Sequence, residues 1–256
     1  MKGKQNTSCL KKPSVNNNED ELCINGIPLE RVNSIKFLGI FINDQLNWND
    51  HKRYVHSKIP RNLGILYKCR DIMLKEDLIN MYNSFIMPYL LYCLPLWGGS
   101  VKSNKDVVVK TQNKAMRILF NTKRTGDAWR HSLDKTTHTI LPIKELYKVE
   151  IAKFCYKHIK NDLPNHFINS VMPIFAHSIH NTNTRHRTTH NYQLNKDNTL
   201  PLAFNSFTTQ CIRTWNALPA LLKVQSAINN NSIKTFTTHL KTSINHDLWI
   251  SNNTNN

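Results

Sequence analysis

The sequence lacks the cysteine patterns and the leader segment that are typical of secreted proteins. Its 256 residues contain six cysteines, which are widely scattered and form no Cys-x-x-Cys pair. Residues 1–21 contain no apolar core of the kind that a secretory signal requires. We therefore expect reduced thiols and an intracellular protein, either nuclear or cytoplasmic.

Acidic residues are scarce. The chain carries 17 Asp and Glu against 34 Lys and Arg, which leaves a formal net charge of +17 at pH 7. Such an excess indicates an anionic partner, most commonly nucleic acid, although a basic balance also serves solubility. No Ser, Cys or His lies in a recognisable local signature of a catalytic nucleophile, so a hydrolase is not indicated.

A run that is rich in β-branched and aromatic residues spans residues 35–42 and is interrupted by Lys36 and Gly39. It predicts a β-strand, in which glycine typically marks a bulge or the close approach of another backbone or a ligand. Upstream, Asn25 and Gly26 form a dipeptide that favours a two-residue hairpin turn. We therefore predict a small antiparallel β-hairpin or sheet near the N-terminus, over residues 22–46.

The rest of the sequence predicts mainly α-helix. Apolar side chains recur at helical spacing from Trp48 to Leu66, in a helix that Pro60 is expected to bend. The expected architecture is a helical bundle followed by a loop-rich, mainly helical C-terminal region with some β-structure. Further helices are predicted near residues 75–87, 103–121, 142–160, 205–217 and 232–246.

Changes in composition divide the chain into segments. Both ends are polar and predict disorder, and a polar stretch after residue 121 predicts a connection between two helical regions. We expect a disordered arm at 1–21, the hairpin at 22–46, a helical region at 47–125, a linker at 126–140, a basic helical and loop-rich region at 141–250 and a disordered tail at 251–256.

An uncharged run of twenty residues, Leu78–Trp97, is long enough to be considered as a membrane span. However, Pro88 and Pro95 interrupt a helix, and basic residues flank the run on both sides without clear asymmetry. A buried helix that ends near Pro88 is the favoured interpretation, and association with a membrane is the minor alternative.

Residues 24–51, INGIPLERVNSIKFLGIFINDQLNWNDH, resemble the region directly after the catalytic palm of reverse transcriptases encoded by non-LTR (LINE-type) retrotransposons. The resemblance covers roughly residues 22–246, and its specificity lies in the order of the motifs. Further segments similar to that family's thumb and C-terminal region are GILYKCRDIMLKEDLINMYNSFIMPYLLYCLPLWG (64–98), KTQNKAMRILFN (110–121), LPIKELYKVEIAKFCYKH (141–158), TWNALPALL (214–222) and SIKTFTTHLKTSI (232–244).

The resemblance implies an RNA-directed DNA polymerase, in which nucleotide transfer needs aspartates that hold two metal ions. In that family these aspartates lie upstream of the matched region, in an aromatic-x-Asp-Asp motif, and this sequence contains no Asp-Asp pair. We therefore expect a truncated C-terminal part with no catalytic residue and no cofactor. Mg²⁺ is expected only for the complete polymerase, whose palm and fingers are an expected partner.

The other implied partner is a template-primer duplex of RNA and DNA. Phe37, Leu38 and Gly39 match the family's primer-grip turn, where glycine permits close approach of the primer. The other interpretation, which is compatible with the first, is an ordinary hairpin that packs Phe37 and Leu38 into a core. Basic helices would contact phosphates without base-specific geometry. The predicted backbone contacts are Lys52, Arg53, Lys58, Arg61, Lys68, Lys110, Lys114, Arg117, Lys123, Arg124, Arg185 and Arg187.

The spacing of Lys110, Lys114 and Arg117 places them on one stripe of a predicted helix. We interpret this stripe as a surface that slides along a duplex, with a solvated helix face as the alternative. Two other functional classes stay open, a stand-alone nucleic-acid-binding protein derived from such an element and a decayed product without a selected role.

Histidines and tryptophans give weaker signals. Four histidines lie in one basic loop, but their spacing matches no zinc-finger pattern, so no metal site is predicted. Three tryptophans are candidates either for base stacking or for core packing. The histidines are His177, His180, His186 and His190, and the tryptophans are Trp97, Trp129 and Trp215.

Overall fold

The computed structural model describes residues 8–10, 23–25, 27–101, 103, 105–121, 140–173, 191–192, 207–219, 222–223 and 232–253. These residues are mainly α-helical, with small two-stranded sheets near the N-terminus, which confirms the predicted fold class. The chain divides into two compact units. Unit 1 draws on residues 1–93 and 103–121, and unit 2 draws on residues 94–102 and 122–256.

Short strands precede the helices along the chain. The strands are Ser8–Leu10 (β1), Cys23–Ile24 (β2), Ile27–Pro28 (β3), Glu30–Val32 (β4), Ser34–Phe37 (β5) and Ile40–Asn43 (β6). The α-helices are Asn49–Lys58 (α1), Pro60–Cys69 (α2), Lys75–Phe85 (α3), Met87–Leu91 (α4), Leu94–Trp97 (α5), Val107–Leu119 (α6), Ile143–Ile159 (α7), Asn165–Val171 (α8), Phe207–Asn216 (α9) and Ile233–Asn253 (α10). The strands, α1–α4 and α6 belong to unit 1.

Two of the small sheets involve the first four strands. β1 pairs in parallel with β4, whereas the sequence predicts a disordered arm over residues 1–21; the rest of that arm lies outside the described residues. Strands of three residues are too short to show an alternating apolar pattern in the sequence. β2 and β3 are antiparallel, with Ile24 opposite Ile27, and Asn25 has a φ of 52° that suits the predicted turn.

β5 and β6 form an antiparallel hairpin. Phe37 lies opposite Ile40, and the two residues between them, Leu38 and Gly39, both have positive φ angles, 45° and 84°. This is the pattern of a type I′ turn. The prediction of one strand over residues 35–42 is therefore wrong, because the chain reverses at Gly39 and the apolar side chains continue on both sides of the turn.

α1 and α2 are separate helices, with only Ile59 between them. The backbone N–H at the first position of a helix has no partner within that helix, so proline, which lacks this group, is well tolerated there. Pro60 therefore begins a new helix instead of bending a longer one. The apolar spacing nevertheless identifies the side of these helices that faces the core. Its buried members are Val55, Ile59, Leu63 and Leu66.

The uncharged run Leu78–Trp97 is divided among α3, α4 and α5, with α4 beginning at Met87, one residue before Pro88. Leu78, Tyr82 and Leu90 are buried within the protein. Among the helices described, none combines the length and apolarity that crossing a bilayer requires.

The core of unit 2 is built around α7, against which α5, α9 and α10 pack. Tyr156 on α7 stacks on Phe236 of α10 at a ring-centroid distance of 4.6 Å. Trp97 and Trp215 are fully buried. Base stacking by these two tryptophans is excluded by their burial, and the core-packing interpretation is the correct one.

Each unit buries a histidine. In unit 1, Nδ1 of His51 accepts a hydrogen bond from the backbone N–H of Phe41, at 3.5 Å. In unit 2, Nδ1 of His158 lies 2.9 Å from the hydroxyl of Tyr192. Burial lowers the pKa of both imidazoles from the ordinary value of 6.5, because water no longer solvates the charged form.

These histidines predict that acid destabilises the protein. A lowered pKa in the folded state means that the unfolded chain binds protons first, so the free energy of unfolding falls as pH drops below about 6.5. The loss is complete once pH is below the lowered pKa values. Urea unfolding at a series of pH values from 7.5 to 5 tests this, with His51→Gln and His158→Gln expected to flatten the decline. The exposed His166→Gln is the control, and an unchanged decline in both buried-site variants would contradict the assignment.

Candidate nucleic-acid interface

α6 presents a narrow basic stripe to solvent. Within Val107–Leu119 the exposed positions are Lys110 and Lys114, and Arg117 is half-buried on the same side. Nearly all other positions of this helix are buried against unit 1. The structure therefore brings together three of the predicted backbone contacts, in the arrangement that their spacing predicts.

The contacts at the start of α6 fix the direction in which this stripe points. Asp106 caps the helix, since its carboxylate accepts the N–H of Val108 at 3.0 Å, and its other oxygen lies 2.9 Å from Nζ of Lys52. One turn later, Oγ1 of Thr111 lies 2.6 Å from Nδ1 of His56. These bonds hold α6 alongside α1, so the stripe belongs to an ordered surface.

Within the described ranges, carboxylates do not neutralise the stripe. α6 contains no acidic residue, and the acidic residue at its N-cap, Asp106, is committed to Lys52. Among the described residues, no carboxylate forms an ion pair with Lys110, Lys114 or Arg117. A row of exposed cations on a fixed helix suits contact with phosphates, which need positive charge but no base-specific geometry.

Lys52 is not a phosphate contact, and that prediction is wrong. Its side chain is 9% exposed and is paired with the side chain of Asp106, which is 10% exposed. Sequence spacing did not reveal this pair, because the two residues are far apart in the chain.

The remaining predicted cations of α1 and α2 are exposed. Arg53 is paired with Asp50 at 2.6 Å. For Lys58, Arg61 and Lys68, the part of the chain that the structure describes supplies no carboxylate partner. These three side chains are accessible to an anionic ligand.

The tip of the β5–β6 hairpin is exposed and apolar. Phe37 is 59% exposed and Leu38 is 74% exposed, so the alternative in which they pack into a core is wrong. The hydroxyl of Tyr92 donates to the carbonyl of Leu38 at 2.5 Å, and a Cβ at Gly39 would lie 3.3 Å from the Tyr92 ring. Tyr92 thus holds the turn in place from α4's C-terminal end.

The backbone conformation of Leu38 costs free energy, and burial of its side chain offsets little of that cost. A left-handed φ costs a non-glycine residue about 1–2 kcal/mol, and Leu38 combines that φ with an exposed side chain. Local strain of this kind is concentrated at functional sites. This turn is therefore a candidate for contact with a ligand.

Two residues of this surface were missed by sequence reasoning. Lys36 lies opposite Phe41 in the hairpin, and its ammonium group lies over aromatic rings; Tyr92 supports the turn. Lys36 adjoins the recognised Phe37-Leu38-Gly39 motif, which was the one available signal. No sequence signal identified Tyr92, because its role depends on tertiary packing.

Several predicted positions lie outside the described residues. They are Lys123, Arg124, Trp129, Arg185, Arg187 and the four histidines between His177 and His190. Among the residues that are described, no group of three or more His, Cys, Asp or Glu is placed to hold a metal ion.

A comparison with protein-family models, with curated proteins and with solved structures found no match to this chain. The candidate interface is therefore described by its own geometry, namely a cation stripe on α6, exposed cations on α1 and α2, and a strained apolar tip on the hairpin.

Proposed function

We propose that the chain binds the sugar-phosphate backbone of a nucleic-acid duplex through α1, α2 and α6. The observation that carries this proposal is the stripe on α6, whose exposed positions are Lys110 and Lys114, with Arg117 beside them. These cations have no acidic neighbour on their helix, and an ordinary solvated helix face usually mixes both signs of charge. Lys58, Arg61 and Lys68 add charge on neighbouring helices.

The ordered motifs favour a more specific identity, the thumb and C-terminal part of a non-LTR retrotransposon reverse transcriptase. In that role the duplex is a template-primer of RNA and DNA. The hairpin tip, with Phe37 and Leu38 exposed, then contacts the primer strand near its end. Without an Asp-Asp pair the chain itself performs no nucleotide transfer, and Mg²⁺ belongs to the complete polymerase.

Salt dependence tests the binding proposal directly. Each phosphate contact releases counterions, so the logarithm of the affinity falls linearly with the logarithm of salt concentration. We expect a slope that corresponds to about 3–6 phosphate contacts, measured on an RNA–DNA hybrid between about 50 and 200 mM salt. Absence of binding at the lower concentration, or a flat response, would contradict the proposal.

Neutralising the stripe should remove about three of those contacts. The variant K110Q/K114Q/R117Q is expected to lower the slope by about 3 and to weaken binding at least tenfold at the lower salt concentration. The matched control is K148Q/K153Q/K157Q on α7, which changes the net charge equally. Thermal melting checks that both variants fold. Equal losses in the two variants would show that net charge alone causes the binding.

A further inference from the structure

A cluster of two lysines and two aromatic rings lies between the hairpin and α1. Nζ of Lys36 is 5.4 Å from the centroid of the Tyr54 ring, and Nζ of Lys58 is 5.3 Å from the same centroid. Lys36 also lies 5.7 Å from the centroid of the Phe41 ring, which is 5.1 Å from that of Tyr54. The distance between the two Nζ atoms is therefore at most the sum of their distances to the centroid of the Tyr54 ring.

The backbone brings these residues together from separate elements. Lys36 and Phe41 are cross-strand partners in the hairpin, so their side chains share one face of it. Tyr54 and Lys58 lie one turn apart on α1. The hydrogen bond from the Phe41 N–H to buried His51 attaches this helix to β6. The cluster is consequently formed before any ligand binds.

The charge in this cluster is not balanced. In the described part of the chain, neither Lys36 nor Lys58 forms an ion pair with a carboxylate, and both side chains are exposed. An aromatic ring attracts an exposed ammonium by only about 0.5–1 kcal/mol. The rings therefore position the two lysines without neutralising them, and the ammonium protons stay available to an acceptor.

The charge of this cluster suits a phosphodiester group of a nucleic-acid backbone. This group carries one negative charge on two non-bridging oxygens, and each oxygen can accept a hydrogen bond from one ammonium group. Ordering a lysine side chain normally costs conformational entropy when it binds, and the contact with Tyr54 lowers that cost because the side chains are already held.

We propose that Lys36, Tyr54 and Lys58 form a phosphodiester-binding site that is distinct from the stripe on α6. The site rests on the proposed function, since its ligand is a phosphate of the nucleic-acid backbone. Lys36 directly precedes Phe37 of the exposed hairpin tip. The site therefore binds the strand that reaches this tip, and the stripe binds the duplex elsewhere.

The first test uses the slope of the salt dependence. The variant K36Q/K58Q is expected to lower the slope by about 2, and this loss should add to that of K110Q/K114Q/R117Q. K75Q/K148Q is the control with the same change in net charge. Tyr54→Phe should bind like the unmodified chain, whereas Tyr54→Leu should bind several-fold more weakly although its charge is unchanged. Equal slopes for K36Q/K58Q and its control would overturn the site.

A second test separates this site from the proposed function. Inorganic phosphate is titrated into K110Q/K114Q/R117Q while the lysine ammonium groups and the tyrosine rings are followed by NMR. We expect the resonances of Lys36, Lys58 and Tyr54 to shift together, with smaller shifts at Lys148. If the chain fails to bind duplex but shows these shifts, the proposed function fails and the phosphate site stands. Uniform shifts at all exposed lysines would overturn the site.

Discussion

Replacing Asp106 by alanine is expected to lower the free energy of unfolding by about 3–5 kcal/mol. The substitution leaves the ammonium group of Lys52 in a nearly buried position without its partner at 2.9 Å. It also removes the side chain that caps α6 at the N–H of Val108, a loss that by itself costs about 1 kcal/mol. Chemical unfolding in urea measures the combined effect.

Two further substitutions separate the charge from the cap. Asp106→Asn can keep the cap, because asparagine is as good an N-cap as aspartate, but it loses the ion pair. Lys52→Met in the Asp106→Asn background removes the unpaired charge and should recover part of the stability, since apolar replacements of buried pairs are often neutral. A loss below about 1 kcal/mol for Asp106→Ala would show that Lys52 reaches water in solution.

The same ion pair explains why the basic surface was only partly predictable. Helical spacing identifies neighbours within one helix, and for Lys110, Lys114 and Arg117 it gave the correct exposed stripe. Lys52 looked equivalent to Arg53 in the sequence. Its burial is decided by a helix that begins more than fifty residues later, which no local pattern contains.

The fold shows a similar division between local and tertiary information. Periodic apolar residues predicted α3, α6 and α7, and they identified the buried side of α1 and α2 although one bent helix was expected there, because one buried face is enough to define a helix. The local pattern did not show the β5–β6 turn, because leucine at a left-handed position is unusual and Leu38-Gly39 is not a standard turn dipeptide. Only the resemblance to a primer-grip turn indicated a turn at these residues. Predicting the cluster around Tyr54 requires both the register of the β5–β6 hairpin and the packing of α1 against β6. The local spacing of residues shows neither.

Replacing Trp215 by alanine is expected to destabilise the protein by about 3–5 kcal/mol, because a large, fully buried side chain is lost and a cavity remains. The indole lies 6.3 Å from the rings of both Tyr192 and Phe236, measured between centroids. The next residue, Asn216, binds the backbone N–H and the carbonyl of Tyr192, both at 2.9 Å. The cavity therefore forms where α9 and α10 meet this fixed segment.

Trp215→Phe distinguishes a packing role from a role in binding bases. It leaves a smaller cavity, so we expect a smaller loss in the free energy of unfolding and unchanged affinity for the RNA–DNA hybrid at equal salt. A tryptophan that stacks on a base would behave in the opposite way, because base stacking contributes about 1–3 kcal/mol per base to binding and little to folding. Weaker binding with an unchanged Tm would therefore contradict the core assignment. Urea unfolding and hybrid binding of the same protein sample test the packing role.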